Sequence, residues 1–226
     1  MWKKLKYYFR ILCGLPKSIL FNLRHFPFRT AIRCPIILDS EVKIIHDRAN
    51  ITIPANCRTG QIKIGFGDVG IFDRWRSRTL LELGGKIVFE GCALIGHGSR
   101  ISVFDDALLK FGPGFSATAE MTLICTKEVI FAPRAMIGWS AMIMDSDLHL
   151  TENPVTQEPY VCQKPVYIGE NSWVGTRALV LKGSRIPADT IVAAGAVVCK
   201  DFSDIEPYCV LAGSPATVRK KNVRRI

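Results

Sequence analysis

Six aliphatic residues, Ile168, Val174, Val180, Ile186, Val192 and Val198, stand six positions apart without a miss. Four residues after each of the first five comes a small side chain: Ser172, Ala178, Ser184, Thr190 and Ala196. A period of six matches neither the 3.6 residues of a helical turn nor the two-residue alternation of an ordinary strand. It matches one flat side of a β-solenoid, where each hexad is a short strand plus a corner. The bulky residue fills the interior, and the small one lets the chain turn without crowding the next coil.

The same rhythm begins irregularly near residue 39. It is legible at Phe89, Ile95 and Ile101, at Phe111, Ala117 and Leu123, and at Phe131, Ile137 and Ile143. Glycine follows the inward residue at Gly96, Gly112, Gly138, Gly169 and Gly175, as corners favour. With three hexads to a coil, the chain holds seven or eight coils stacked at about 4.8 Å. The largest interruption is a loop at 144–165, rich in proline and polar residues, that leaves the solenoid. Long loops on rigid scaffolds are where function concentrates. The organisation expected is a basic, aromatic cap segment at 1–40, a solenoid at 41–210 and a basic tail at 211–226. Residues 3–13 read as a short amphipathic helix stopped by Gly14 and Pro16. Residues 214–226 read as a turn and a short basic helix, so helical caps are expected at both ends.

At 226 residues and 48% hydrophobic composition, the chain can bury a sizeable core. Thirty Lys and Arg against twenty Asp and Glu give a net charge of +10, which favours anionic partners without choosing among them. The basic residues are not organised into a nucleic-acid-binding motif. Interleaved aromatic, aliphatic and basic residues in 3–13 and 18–33 can lie at a membrane interface, although a cap over the first coil explains the same pattern. Lys6 and Arg10 interrupt the apolar run of the first twelve residues, which lacks a small-residue cleavage site. No signal peptide and no spanning helix are therefore expected. Eight scattered cysteines, with no C-x-x-C pair, read as reduced thiols in a cytoplasmic protein.

The run IGENSWVGTRALVLKGSRIPADTIVAAGAVVCKD, with LAGSPATVRK after it and WSAMIMDSDLH before it, resembles the hexapeptide-repeat acyltransferases. Within them it is most similar to the maltose, galactoside and polysaccharide O-acetyltransferases. The resemblance is specific over 130–220, weaker over 60–130 and absent before about 40, where maltose acetyltransferase relatives carry a different segment. It implies an all-β, left-handed parallel β-helix and a homotrimer with sites between subunits. The handedness comes from the resemblance alone, because crossover connections ordinarily favour the right hand. The implied activity is acetyl-CoA-dependent O-acetylation of a sugar hydroxyl, in surface polysaccharide biosynthesis.

Such a transfer needs a base for the hydroxyl proton, donors for the oxyanion and reactants held in line. Histidine suits the first task near neutral pH. Of His25, His46, His97 and His149, the first two read as structural or exposed and His97 is ambiguous. His149 closes the DSDLH motif and takes the position of the family's base, with Asp145 and Asp147 as its candidate helpers. The resemblance places Trp173 beside the pantetheine arm, and Gly175, Thr176 and Ala194 along its amides. Lys200, Arg219 and Lys220 are assigned to the phosphates. Relatives place Arg where this chain has Thr217, and Arg219 is the candidate substitute. Cys125, Cys162 and Cys199 raise an acetyl-cysteine route, but direct transfer is preferred because Cys125 and Cys199 fall in or beside strands.

Three competing readings stay open. The same residues suit an amino-sugar N-acetyltransferase. A metal-dependent hydratase on this scaffold, like the γ-class carbonic anhydrases, needs three placed histidines per zinc, so no metal is expected. A non-catalytic β-helix docked peripherally on the membrane would use the basic N-terminal segment.

Overall fold

The computed structural model describes residues 2–67, 69–73 and 76–225 of the chain. From residue 36 onward short parallel strands wind into a three-sided prism. The first face has nine strands, from Ile36–Leu38 to Ala216–Lys220; the second has seven, from Lys43–Asp47 to Val197–Val198; the third has six, from Asn50–Thr52 to Arg185–Ile186. Every pairing is parallel except the last on the first face, where Val210–Gly213 meets Ala216–Lys220 antiparallel. All six hexad residues from Ile168 to Val198 are fully buried, as are Ser172, Ala178, Ser184 and Thr190.

The interior is filled in columns. On the third face Phe89, Phe111 and Phe131 occupy equivalent positions of successive coils. Their rings stack at 4.9 and 5.4 Å, within 13° and 3° of parallel. Ile168 and Ile186 continue the column. The corners are repetitive as well. Between the first and second faces, Gly98, Glu120, Ser140, Arg177 and Gly195 all adopt positive φ, from 51° to 70°. Each of the last four donates its backbone N–H to the coil before: Glu120 to His97, Ser140 to Ala119, Arg177 to Trp139 and Gly195 to Thr176.

The N-terminal helix, α1 (Trp2–His25), is twice as long as its sequence suggests and runs through both Gly14 and Pro16. Gly14 does not stop it. A Cβ there would sit 2.1 Å from the carbonyl oxygen of Leu38, so the glycine lets the helix lie directly on the first strand. Pro16 falls on the exposed side, and packing on both flanks holds the helix past it: Tyr7, Ile11 and Leu15 on one, Phe21 in the main core on the other. Along this contact, side chains take the place of a neighbouring strand. Leu38 donates to Ser18 Oγ at 2.9 Å, and Ile36 donates to Asn22 Oδ1 at 3.2 Å while its carbonyl accepts from Asn22 Nδ2 at 2.7 Å. Arg10 adds a half-buried ion pair with the buried Asp39 at 2.6 Å. A four-residue helix, α2 (Phe28–Ala31), follows.

At the other end the expected basic helix is a strand. Residues Ala216–Lys220 pair back on Val210–Gly213. Thr217 and Val218 favour extended backbone, and the strand satisfies hydrogen-bonding groups that a helix would have left open at the last coil's edge.

Replacing Phe111 by Ala removes the middle ring of the aromatic column. The expected loss is about 3–5 kcal/mol of unfolding free energy, read as a lower urea midpoint.

Candidate active site

The loop at 144–165 springs from the edge between the second and third faces, after the strand Met142–Met144 and before Val166–Ile168. It folds as a hairpin, with bridges Ser146 to Gln163 and Glu152 to Pro159. Its root is anchored by Asp145, whose fully buried carboxylate accepts four hydrogen bonds. Thr126 donates from its N–H at 2.8 Å and its hydroxyl at 2.9 Å, and Lys127 and Glu128 donate their N–H groups at 2.7 Å each. This changes the role expected of Asp145. It ties the hairpin to the turn of the preceding coil and keeps no lone pair free for an imidazole. Asp147 sits higher and is exposed, paired with Lys182 of the following coil, which also donates to Val161 O at 2.6 Å. Lys182, absent from the sequence-based site, therefore fixes the hairpin's angle. Neither aspartate spends its bonds on His149.

His149 lies on the exposed flank of the hairpin. Its carbonyl accepts from Cys162 Sγ at 3.5 Å, which holds the backbone. Its neighbours Leu148 and Leu150 are exposed as well. With Phe104, Thr126, Lys127 and Ser146 they line a shallow cleft of about 430 Å³ at the hairpin's root. His149 is exposed and does not line that cleft.

Trp173, Gly175, Thr176 and Ala194 come together elsewhere, on the first face and its edge with the second. Trp173 is 38% exposed. At the corner one coil earlier, next to Thr176, Trp139 is 39% exposed and its carbonyl accepts from Thr176 Oγ1 at 2.7 Å. Trp139 follows Gly138 as Thr176 follows Gly175, so aligning the hexads would have found it. Gly175 has a packing reason of its own: a Cβ would meet Val192 O at 2.7 Å and Ala194 N at 2.8 Å. The missing side chain makes room for the next coil.

Strand register places Trp173, Ile191, Val210 and Lys220 in one row across the first face. Three inter-strand steps separate its ends by ~14 Å. Exposed Thr217 and Arg219 share the terminal strand with Lys220. The row offers an aromatic ring, two half-buried aliphatic side chains and then the cation of Lys220, with Arg219 next to it along the strand. Lys200 does not join this group; it follows the second face's last strand and lies over the Phe202 ring at 4.9 Å.

All eight cysteines are free thiols. Burial pushes the Cys125 thiol far up, and Asp145 adds to the effect, so it stays protonated and unreactive. Cys162 is half-buried in the hairpin and Cys199 is exposed. Among the described residues no three His, Cys, Asp or Glu gather into a metal-binding group.

No protein-family model matches the chain. It is 32% identical over 111 residues to the galactoside O-acetyltransferase of Lactococcus lactis, a match covering 49% of this chain and 52% of that relative. The chain thus spans about half the length of that relative. Among solved structures it resembles a polysialic acid O-acetyltransferase, with a TM-score of 0.51, 21% identity and coverage of 82% of this chain and 87% of the other. It also resembles a polySia-specific acetyltransferase, with a TM-score of 0.50, 15% identity and coverage of 85% and 78%. The prism is a left-handed parallel β-helix, and the chain resembles the hexapeptide-repeat acetyltransferases.

Asp145→Ala leaves three backbone N–H groups without their acceptor, and should cost about 3 kcal/mol or more. The hairpin should also become a fast cleavage site in limited proteolysis. Asp147→Ala, which breaks only an exposed pair, should cost about 1 kcal/mol or less.

Proposed function

We propose that this chain is an acetyl-CoA-dependent O-acetyltransferase acting on a sugar hydroxyl in surface polysaccharide biosynthesis, with His149 as general base. The observation that carries the reading is the exposed position of His149 on the hairpin at one edge of the prism, outside the cleft at the hairpin's root. A second edge and face carry the row from Trp173 to Lys220. A homotrimer in which the hairpin of one subunit meets that row on the next would unite the two halves of the site. The galactoside O-acetyltransferase relative and the polysialic acid O-acetyltransferase fold neighbour support the same substrate class.

The residues fit the co-substrate. Trp173, Ile191 and Val210 give an arm of pantetheine type a partly apolar track, and Arg219 and Lys220 meet anionic phosphates at its end. Thr176 and Ala194 offer backbone groups along the edge. Bound acetyl-CoA supplies an activated acyl thioester. His149 takes the proton of the acceptor hydroxyl as that oxygen becomes the nucleophile, and the imidazolium then holds the proton for the departing sulfur. Asp145 and the Lys182–Asp147 pair are positioning groups, because they set where the hairpin stands. Lys200 on the hairpin's edge is a phosphate partner only if the neighbouring subunit supplies it. Eight free thiols and a cytosolic co-substrate both favour the cytoplasm.

His149→Ala should lower turnover by about 10²–10⁴-fold while CoA still binds in calorimetry. Near-normal turnover would reject the mechanism. Trp173→Ala should weaken CoA binding. Co-assembled His149→Ala and Trp173→Ala subunits should recover activity that neither has alone; no recovery would place the whole site within one chain. A CoA-release assay over sugars and amino sugars separates hydroxyl from amine acceptors.

A further inference from the structure

The inner side of α1 is spent on the first coil, and its outer side is apolar too. Leu5, Phe9, Leu12, Ile19 and Leu23 recur at spacings of three, four and seven along one seam, each 42–66% exposed. Phe28 and Ile32, just beyond, are 70% and 62% exposed and extend the patch past the helix. A soluble surface seldom leaves so many large apolar side chains contiguous without a partner.

Charge identifies that partner. Residues 1–38 contain eight Lys and Arg and no Asp or Glu, which leaves the remainder of the chain with 22 basic against 20 acidic residues. The +10 net charge is therefore concentrated at this end of the prism. Arg10 and Lys17 face inward, bonded to Asp39 and to the carbonyls of Ser40 and Val42. Arg29 and Arg33 are exposed around the patch, and exposed Arg24 beside it pairs with Asp47 at 3.2 Å. A face-to-face contact between two copies would bring Arg29 and Arg33 together with their counterparts, and residues 1–38 supply no acid to balance them. No described helix is long and apolar enough to cross a membrane.

We propose that the outer face of α1 and the Phe28–Arg33 segment dock on an anionic phospholipid surface. The helix lies in the interface plane, with its apolar seam buried and the arginines at the headgroups. This holds the first coil against the bilayer and leaves the hairpin and the far coils free. The inference is independent of the acyl-transfer reading, since vesicle binding requires neither His149 nor Trp173.

The test is co-sedimentation of the full chain with vesicles of phosphatidylcholine alone or mixed with phosphatidylglycerol. Binding to the mixed vesicles, weakening as salt rises, is expected, with little binding to phosphatidylcholine alone. Phe9→Glu with Leu12→Glu should reduce partitioning at least tenfold and leave the thermal midpoint unchanged, because neither side chain touches the core. Arg29→Glu with Arg33→Glu should reduce it several-fold and flatten the salt dependence. Wild-type chain left in the supernatant with both vesicle types would overturn the proposal. So would unaltered binding by the Glu variants, an earlier thermal midpoint for them, or a change in their sedimentation coefficient that assigns the face to a second copy.

Discussion

Everything in this molecule depends on keeping successive coils in register around a dry, three-sided interior. Each coil contributes inward apolar side chains to every face, and these stack over their equivalents in the coils before and after. Phe89, Phe111 and Phe131 give way to Ile168 and Ile186 without a change of position. Such stacking is possible only if every coil has the same perimeter, so the corners must repeat as faithfully as the faces. Glu120, Ser140 and Arg177 accept left-handed backbone at a cost of about 1 kcal/mol each, and inter-coil hydrogen bonds at the same corner offset it.

That demand explains why some of the fold was legible in the sequence and some was not. The hexads from Ile168 to Val198 could be read directly, because a fixed perimeter leaves a fixed period. The ends obey a different physics. Gly14 and Pro16 look like a helix stop when only local propensity is considered. Gly14 is instead a contact point, and what it contacts is the Leu38 carbonyl, remote in the chain. Residues 216–220 look basic and helical, yet the unpaired edge beside Val210–Gly213 outweighs composition. In both places a tertiary partner decided the local conformation.

The candidate site divides along the same line. The family resemblance singles out His149 through the DSDLH motif and Trp173 and Thr176 through the segment around W-V-G, and the structure leaves His149 and Trp173 exposed and Thr176 half-buried. The role of Asp145 was not legible in the sequence, because it depends on three N–H groups from a turn in the preceding coil. Lys182 was not legible for a related reason: a solenoid brings residues one coil apart into contact, at separations that vary with every insertion, whereas Trp139 is legible once the hexads of neighbouring coils are aligned. Gly175 shows the converse. A residue can match a functional motif while its smallness is already demanded by Val192 and Ala194 beneath it.

The way α1 closes the first coil has a wider consequence. A stack of parallel strands ends in a row of unsatisfied amides and carbonyls, which invites the terminus of another stack and growth into a filament. Here the invitation is withdrawn by the hydroxyl of Ser18 and the carboxamide of Asn22. They imitate a strand for Ile36 and Leu38 but carry no continuing ladder on their far side. The seal is therefore one-sided by construction: it ends polymerisation and leaves a smooth outer wall that can take on a separate task.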